Sequence, residues 1–139
     1  MIVLDTNVIS ELMSAQASPT VRRWIAQQRA VSPLCITAIT VAEILYGIEL
    51  LPRGKRRSSL LQEAEAMFRE DIVHKILVFD EQAAREFSTI AAARRERGRP
   101  ISTLDAQIAA IALANGATLA TRDTSGFDDC GVRLVNPWE

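Results

Sequence analysis

The chain opens with Met1-Ile2-Val3-Leu4-Asp5-Thr6-Asn7, in which an apolar run meets an acid directly. A short, continuously apolar run is typical of a strand buried on both faces, as in parallel sheets covered by helices. Four further runs of this kind are predicted to be strands, at residues 34–36, 76–79, 117–120 and 132–135. The opening therefore favours a parallel sheet and places Asp5 directly after its first strand.

Segments with helical periodicity separate the predicted strands, and residues that start or stop helices mark their limits. The predicted helices begin at Ser18-Pro19, run from Thr40 to Leu51, cover about 59–69, run from Asp80 to Gly98, and run from about Thr103 to Asn115-Gly116. Strands that alternate with helices are joined by right-handed crossovers, which place helices on both faces of a parallel sheet. The predicted fold is α/β, a three-layer sandwich with a central parallel sheet of four to five strands.

Length and composition limit the class of protein. A chain of 139 residues fits one domain, expected to span residues 1–139, and 48% hydrophobic with 24% charged residues fits a globular chain. The 16 basic and 17 acidic residues give a net charge of -1. No overall charge therefore draws the protein to nucleic acid or to a membrane surface, so such a partner must be met by a local patch.

The cysteine pattern and the apolar runs indicate the compartment. Cys35 and Cys130 lack the paired Cys or Cys/His spacing of a zinc site, and a reduced setting is the simplest interpretation. The chain meets Asp5 before a signal-peptide core builds up, and no apolar run approaches the roughly 18–20 residues of a membrane span. We therefore expect a cytoplasmic protein without a membrane partner.

Four acids from distant parts of the chain are expected at one edge of the sheet. Asp5 follows the first strand, and Glu43 lies in the first turn of the helix after the second. Asp105 lies in the first turn of the last helix, and Asp123 follows the strand at 117–120. Because ligands of open parallel sheets bind outside the carboxyl ends of the strands, these four acids are the candidate catalytic and metal-binding residues.

A gathering of four carboxylates needs a counter-charge, because like charges in one site raise each other's pKa and destabilise the folded state. Oxygen ligands without His or Cys suit Mg²⁺, with Mn²⁺ as a substitute. A cation in such a place lowers the pKa of bound water and neutralises charge on a phosphodiester oxygen. The four acids therefore indicate phosphodiester hydrolysis.

Each acid except the first also has a structural interpretation. Glu43 lies three residues after Thr40, which fits a capping box. Asp105 near a helix start complements the helix dipole, and Asp123 fits an ordinary turn. Asp5 has no obvious role in folding, so its position favours function.

Longer stretches around the acids carry a family resemblance. They are residues 1–12 (MIVLDTNVISEL), 39–47 (ITVAEILYG), 104–109 (LDAQIA), 120–123 (ATRD) and 132–138 (VRLVNPW). In this order and spacing they resemble PIN-domain proteins, specifically the VapC-like toxic ribonucleases of bacterial toxin–antitoxin pairs. The resemblance covers essentially the whole chain.

The resemblance implies a metal-dependent endoribonuclease and assigns roles by motif. Asp5 and Asp105 would be the principal metal ligands, and Glu43 and Asp123 would hold a second ion or a water. Polar support would come from Asn7 and Thr121. The resemblance also implies a homodimer, a cognate antitoxin whose extended segment fills the acidic groove, and contact with DNA only through that antitoxin.

The sequence departs from the family pattern around the fourth acid. Relatives often carry Asn at the position of Asp123 and Asp just before the aromatic residue, whereas here Gly126 precedes Phe127. Asp128 follows that aromatic residue and is a rival to Asp123 as the fourth acid.

Two runs of basic residues are candidates for contact with RNA phosphates. Together the two runs contain half of the 16 cations, and both are expected in loops. The first consists of Arg53, Lys55, Arg56 and Arg57, and the second of Arg94, Arg95, Arg97 and Arg99. Their alternative is an ordinary solvated surface.

Two other classes of function remain open. A phosphatase could form an aspartyl intermediate on Asp5, although Asn7 stands where that mechanism needs a second Asp. A non-catalytic RNA-binding or interaction module could keep the fold without the chemistry, although the intact set of four acids argues against it.

Overall fold

The computed structural model describes residues 1–71 and 73–139, with side chains at all of these positions except 70 and 71. Within these residues lie five strands, β1 (Ile2–Leu4), β2 (Leu34–Thr37), β3 (Lys75–Leu77), β4 (Thr118–Ala120) and β5 (Leu134–Val135). They form one sheet in the order β3-β2-β1-β4-β5, and every pair is parallel. The N-terminal strand thus lies at the centre of the sheet.

Six helices connect the strands in the described part of the chain. They are α1 (Thr6–Met13), α2 (Pro19–Arg29), α3 (Ala38–Glu49), α4 (Lys55–Ala66), α5 (Glu81–Glu96) and α6 (Thr103–Ala114). A π-helical turn (Met67–Asp71) follows α4, and a 3₁₀ turn (Ser125–Phe127) lies between β4 and β5. No helix of the described residues is long and apolar enough to cross a bilayer.

Successive side chains of each strand point to opposite faces of the sheet, and this divides the core into two halves. Leu4 and Ile36 pack into a cluster with the apolar faces of α1, α2, α3 and α4. Val3 and Cys35 point to the opposite face and pack with α5 and α6. Because successive side chains of a strand point to opposite faces, continuously apolar strands need a helical layer on each side. The predicted three-layer α/β sandwich is confirmed.

Several predicted boundaries need correction. Helix α1 begins directly after Asp5 and was not predicted. Helix α3 begins at Ala38 because the Thr37 side chain accepts a hydrogen bond from the backbone N–H of Thr40, so Thr37 and not Thr40 is its N-cap. Helix α4 begins at Lys55, earlier than the predicted residue 59, and β3 ends at Leu77, earlier than the predicted residue 79.

Candidate active site

Polar residues stand at the carboxyl ends of the three central strands. Thr37 ends β2, Asp5 follows β1 and Thr121 follows β4, and all three side chains are buried. The backbone N–H of Asp5 donates to the carbonyl of Ala120 at 2.9 Å, which extends the pairing of β1 with β4 by one step. The parallel order of the strands therefore brings these three residues to one edge of the sheet.

Asp5 is the centre of this edge, with only 4% of its surface exposed. Its Oδ1 accepts a hydrogen bond of 2.8 Å from the backbone N–H of Thr6, and its Oδ2 accepts one of 2.8 Å from Oγ1 of Thr121. The first of these bonds makes Asp5 the N-cap of α1. The expectation that Asp5 has no role in folding is therefore wrong, although capping does not require burial.

The pKa of Asp5 is raised to about 6. Burial is the largest cause, because removal from water penalises the charged carboxylate. The hydrogen bonds from Thr121 and Thr6 lower the pKa in part, and the negative charges of Asp105 and Glu43 raise it further. Three of the four predicted acids thus share one electrostatic neighbourhood.

Glu43 is held by a hydroxyl and not by a capping box. Its Oε1 accepts a hydrogen bond of 2.8 Å from Oγ1 of Thr6. The hydroxyls of Thr6 and Thr40 are 3.0 Å apart, and Oγ1 of Thr37 donates to that of Thr40 at 3.4 Å. Because each hydroxyl has a single proton, the bonds run in one direction, from Thr37 through Thr40 and Thr6 to Glu43. The alternative of a capping box between Thr40 and Glu43 is wrong.

These threonines are functional candidates that the sequence analysis missed. Thr6 contacts both Asp5, through its backbone N–H, and Glu43, through its side chain. The only signal in the sequence is that a hydroxyl residue directly follows the acid at the end of β1. Hydroxyls are common at helix starts, so this signal does not distinguish a site from a cap.

Asp105 lies in the first turn of α6, as predicted, and is half-buried. Its backbone N–H donates to Oγ of Ser102 at 3.2 Å, so Ser102 caps the helix and Thr103 is its first residue. This cap leaves the Asp105 carboxylate free of a capping role. Its charge acts on Asp5, although its place in the first turn also suits the helix dipole.

Asp123 joins the edge through its backbone. Its N–H donates to Oγ1 of Thr121 at 3.1 Å, and Thr121 in turn holds Asp5. The carboxylate of Asp123 turns to the 3₁₀ turn, where Oδ1 accepts hydrogen bonds from Oγ of Ser125 at 3.3 Å and from the N–H of Gly126 at 3.0 Å. Its charge is not among those that shift Asp5.

Two other predicted residues lie apart from this network. The side chain of Asn7 is exposed, and no hydrogen bond in the described residues joins it to the acids. Asp128 is exposed, and its carbonyl accepts a hydrogen bond of 2.9 Å from Nη1 of Arg94. Thr121, by contrast, contacts Asp5 directly, as polar support for that acid requires.

The donor set fits a hard divalent cation in its chemistry. The carboxylates of Glu43 and Asp105 lie near enough to Asp5 for their charges to act on it, and the burial of Asp5 beside two like charges is costly unless a cation offsets it. In the described residues, no group of three or more His, Cys, Asp or Glu side chains is gathered closely enough to hold an ion as it stands. Binding therefore requires the carboxylates to turn toward one another.

A groove of about 980 Å³ leads away from this edge. Thr6, Glu43 and Arg56 line it together with apolar side chains of α1, α3 and α4, among them Met13 and Ile48. The groove combines charged side chains of both signs with an apolar wall, so it suits a chain segment that carries both apolar and charged side chains.

The first basic run is only partly in a loop. Lys55, Arg56 and Arg57 form the first turn of α4, where Arg57 pairs with Glu49 at 2.6 Å. Arg53 precedes this helix and is exposed.

The second basic run, predicted in a loop, begins in the last turn of α5 with Arg94 and Arg95, and it holds the loop after β4 in place. Arg94 is only 5% exposed; its Nε donates to the carbonyl of Arg99 at 2.7 Å, and its Nη1 donates to the carbonyls of Gly126 and Asp128. Arg97 forms an ion pair of 2.7 Å with Asp129. Because a buried guanidinium cannot reach a phosphate, the expectation that Arg94 contacts RNA is wrong.

Known proteins resemble this chain over its full length. The PIN domain matches residues 2–131. The plasmid stability protein StbB of Pseudomonas syringae pv. tomato is 44% identical, and the VapC ribonuclease Y4jK of Sinorhizobium fredii is 42% identical; each match covers 100% of this chain and 99% of the relative. The toxin FitB of Neisseria gonorrhoeae is 37% identical over 99% of both chains.

A solved structure agrees with the sequence matches. The structure of FitAB bound to an IR36 DNA fragment superposes with a TM-score of 0.90 at 36% identity, covering 100% of this chain and 96% of that one. The sheet order, the acid at the end of the central strand and these full-length matches lead to one conclusion. The chain belongs to the PIN-domain family and is one of its VapC-like members.

Proposed function

We propose that this protein is a metal-dependent endoribonuclease and the toxin of a toxin–antitoxin pair. The observation that carries the proposal is the buried Asp5 carboxylate, whose pKa is about 6 beside the charges of Asp105 and Glu43. Strongly perturbed carboxylates at the carboxyl edge of a parallel sheet are typical of active sites. The VapC ribonuclease among the relatives supports the same activity.

Asp5, Glu43, Asp105 and Asp123 would hold Mg²⁺, or Mn²⁺ in its place. The cation, when bound, supplies a water of lowered pKa and a counter-charge for the phosphodiester. The protein contributes the orientation of the ligands, because Thr121 and the N–H of Thr6 fix both oxygens of Asp5.

RNA is the proposed substrate, and its phosphates would contact those basic residues that are exposed. Arg53 and Lys55 are exposed near the start of α4, and Arg56 lines the groove that also contains Glu43. Cations beside an acidic edge attract the backbone of a polyanion to a site that would otherwise repel it. Arg95 and Arg99 are exposed cations of the second run without a carboxylate partner among the described ion pairs, although Arg99 also donates to the carbonyl of Ser125 at 3.2 Å.

A cognate antitoxin is the proposed protein partner. Solved structures that share this fold are toxin–antitoxin complexes, some of them bound to DNA. The groove beside Glu43 would receive an extended antitoxin segment, whose apolar side chains would pack on Met13 and Ile48. We further propose that the toxin is a homodimer and that it contacts DNA only through the antitoxin.

The central experiment measures RNA cleavage by the protein purified without its partner. Cleavage is expected in Mg²⁺ or Mn²⁺, should stop with EDTA, and should fall at least about 100-fold in Asp5→Asn, because that change removes a charge from the site. Asp80→Asn is the matched control, since Asp80 also follows a strand but caps α5 through the N–H of Ala83. Equal cleavage by Asp5→Asn would reveal a contaminating nuclease and overturn the proposal.

The same preparations separate the other two classes of function. Release of phosphate from small monoesters without RNA cleavage would indicate a phosphatase that uses Asp5. Binding of RNA without either activity would indicate a non-catalytic module.

A further inference from the structure

Arg122 directly follows Thr121, the residue whose hydroxyl holds Asp5. The backbone N–H of Thr121 donates to the carbonyl of Val135 at 2.9 Å, which continues the pairing of β4 with β5 past the end of β4. The residues that follow these two strands therefore lie side by side at the carboxyl edge of the sheet. This arrangement places Arg122 beside the short segment 136–138.

The indole of Trp138 in this segment has a defined place. The backbone N–H of Trp138 donates to Oδ1 of Asn136 at 2.9 Å, which closes a tight turn around Pro137. The ring is partly buried and packs against the apolar cluster that the sheet shares with α1, α2, α3 and α4. Trp138 therefore forms a fixed aromatic surface at this edge.

The guanidinium of Arg122 lies over the Trp138 ring, with Cζ 5.1 Å from the ring centroid. This is within the distance of about 6 Å at which an aromatic face attracts a cation. The Arg122 side chain is otherwise exposed, so the ring is what orients it. The contact depends on the charge of the guanidinium and leaves its N–H donors for other partners.

The Arg122 charge has no counter-charge within the described residues. Its side chain forms no ion pair and donates no hydrogen bond there. The neighbouring Asp123 carboxylate accepts its hydrogen bonds from the 3₁₀ turn, and the Arg122 charge is not among those that act on Asp5. An oriented guanidinium that stands apart from the acids matches the geometry and the charge of a phosphate.

We propose that Arg122 binds a phosphate of the RNA strand at the carboxyl edge of the sheet, and that Trp138 is the positioning residue for this contact. The inference rests on the proposed function, since the phosphate belongs to the proposed substrate. It concerns a different phosphate from the one cut beside Asp5, because Arg122 stands apart from that acid. The contact would hold the strand in place across the site.

The test measures binding of a fluorescein-labelled single-stranded RNA to the full chain by fluorescence anisotropy, in EDTA so that metal-dependent cleavage does not occur. Arg122→Met is expected to weaken binding about tenfold at low salt, because a charge-assisted contact is lost. The slope of log K against log salt should become shallower by about 0.7, the contribution of one phosphate on a single strand.

Arg133→Met is the matched control for the loss of a positive charge. Arg133 is exposed and forms no ion pair within the described residues, but it precedes β5 and so lies at the opposite edge of the sheet. This variant should bind RNA with the affinity and the salt slope of the unmodified protein. In Mg²⁺, Arg122→Met should raise KM and leave kcat nearly unchanged, as expected for a binding contact remote from the reacting atoms.

The role of Trp138 is tested by two substitutions. Trp138→Leu keeps an apolar side chain but removes the aromatic face, so RNA binding should weaken about threefold, whereas Trp138→Phe should keep most of the affinity. In the Arg122→Met background, Trp138→Leu should have no further effect, because its effect passes through the guanidinium. A merely structural role would weaken binding in both backgrounds. Circular dichroism checks that each variant is folded.

The outcomes distinguish the inference from the proposed function. Unchanged RNA binding by Arg122→Met, or an equal loss in Arg133→Met, overturns the inference alone when the unmodified protein cleaves RNA. Additive losses from Arg122→Met and Trp138→Leu overturn the positioning role of Trp138. Binding that depends on Arg122 without any cleavage supports the phosphate contact and overturns the proposed nuclease. Absence of both RNA binding and cleavage in the unmodified protein overturns both.

Discussion

The Asp5 carboxylate caps α1 and is also buried beside two like charges. A carboxylic acid whose pKa is raised on folding adds stability below its unfolded pKa, and this stability is lost as the pH rises through the folded pKa. For Asp5 that window lies between the ordinary value of 3.8 and about 6. Above it, the charged carboxylate destabilises the metal-free protein.

Asp5→Asn should therefore stabilise the metal-free protein at pH 8, by up to about 3 kcal/mol for a shift of this size. At pH 4 the advantage should be lost, because the native carboxyl is then protonated in the folded state. Urea unfolding in EDTA at the two pH values measures the difference. An equal difference at both values would contradict the assigned cause.

Thr121→Val should raise the pKa of Asp5 above about 6, because the Thr121 hydroxyl stabilises the charged form. A ¹³C NMR titration of the Asp5 carboxyl measures the shift. Thr118→Val in β4, which Thr121 follows, is the matched control, since the Thr118 contact given by the structure is made by its backbone N–H. A pKa that moves equally in both variants would contradict a specific hydrogen bond.

The sequence indicates which acids are candidates for the site, but it does not indicate which side chains hold those acids by hydrogen bonds. Each acid follows a strand or opens a helix, and this can be recognised from apolar runs alone. Thr6, Thr37 and Thr40 act through hydroxyl contacts across different elements, which no spacing along the chain reveals. The hydrogen bond from the N–H of Gly126 to Asp123 likewise depends on the turn that brings these two residues together.

At the level of the elements, the end of α5 holds the loop that follows Asp123. Arg94 donates to three backbone carbonyls, of Arg99, Gly126 and Asp128, and no carboxylate of the described residues forms an ion pair with it. A planar guanidinium with several donors suits such a set of acceptors. These hydrogen bonds therefore join the end of α5 to the loop after β4.

Arg94→Met should lower the free energy of unfolding by roughly 3 kcal/mol or more, because it leaves these carbonyls without a donor. Arg95→Met on the exposed neighbour should change it by no more than about 0.5 kcal/mol. Urea denaturation of the two variants measures both values. Similar losses in the two variants would show that the buried hydrogen bonds do not matter.

Asp80→Ala should cost about 1 kcal/mol of stability, the usual value for an N-cap whose side chain accepts a helix N–H. RNA cleavage below the melting temperature should be unaffected. A loss of cleavage at unchanged stability would show that Asp80 belongs to the site.

The elements were predicted best where burial is complete. Buried β1 and β2 appear in the sequence as unbroken apolar runs. In the edge strand β3, by contrast, Ile76 is 37% exposed, and Val78 just beyond the strand is 61% exposed. An apolar run therefore does not mark where β3 ends. Helix α1 was missed because it starts at the residue after Asp5, without a connecting turn that would separate it from β1.

For the whole molecule, two exposed apolar residues at the end of α3 offer a place for the proposed homodimer interface. Tyr46 lies on α3 and Leu50, the C-cap of that helix, follows four residues later; the two are 66% and 67% exposed. Adjacent large apolar side chains on a surface are typical of an interface. The proposed homodimer would cover them.

Sedimentation equilibrium should give twice the chain mass of 15.3 kDa, and Leu50→Glu should shift the protein toward the monomer. Val31→Glu is the control, because Val31 is 80% exposed but lies outside α3. A monomer in the unmodified protein would exclude the homodimer, and equal effects of both substitutions would exclude α3 as its interface.

The central position of β1 has a consequence for synthesis in the cell. Asp5 receives its hydrogen bond from Thr121, which lies 116 residues later, and β1 pairs with β4 on that side. A chain that leaves the ribosome therefore exposes Asp5 long before its neighbouring strand has been translated. The Asp5 edge is therefore completed only when Thr121 has been translated and β4 has paired with β1, so the proposed active site forms late in synthesis.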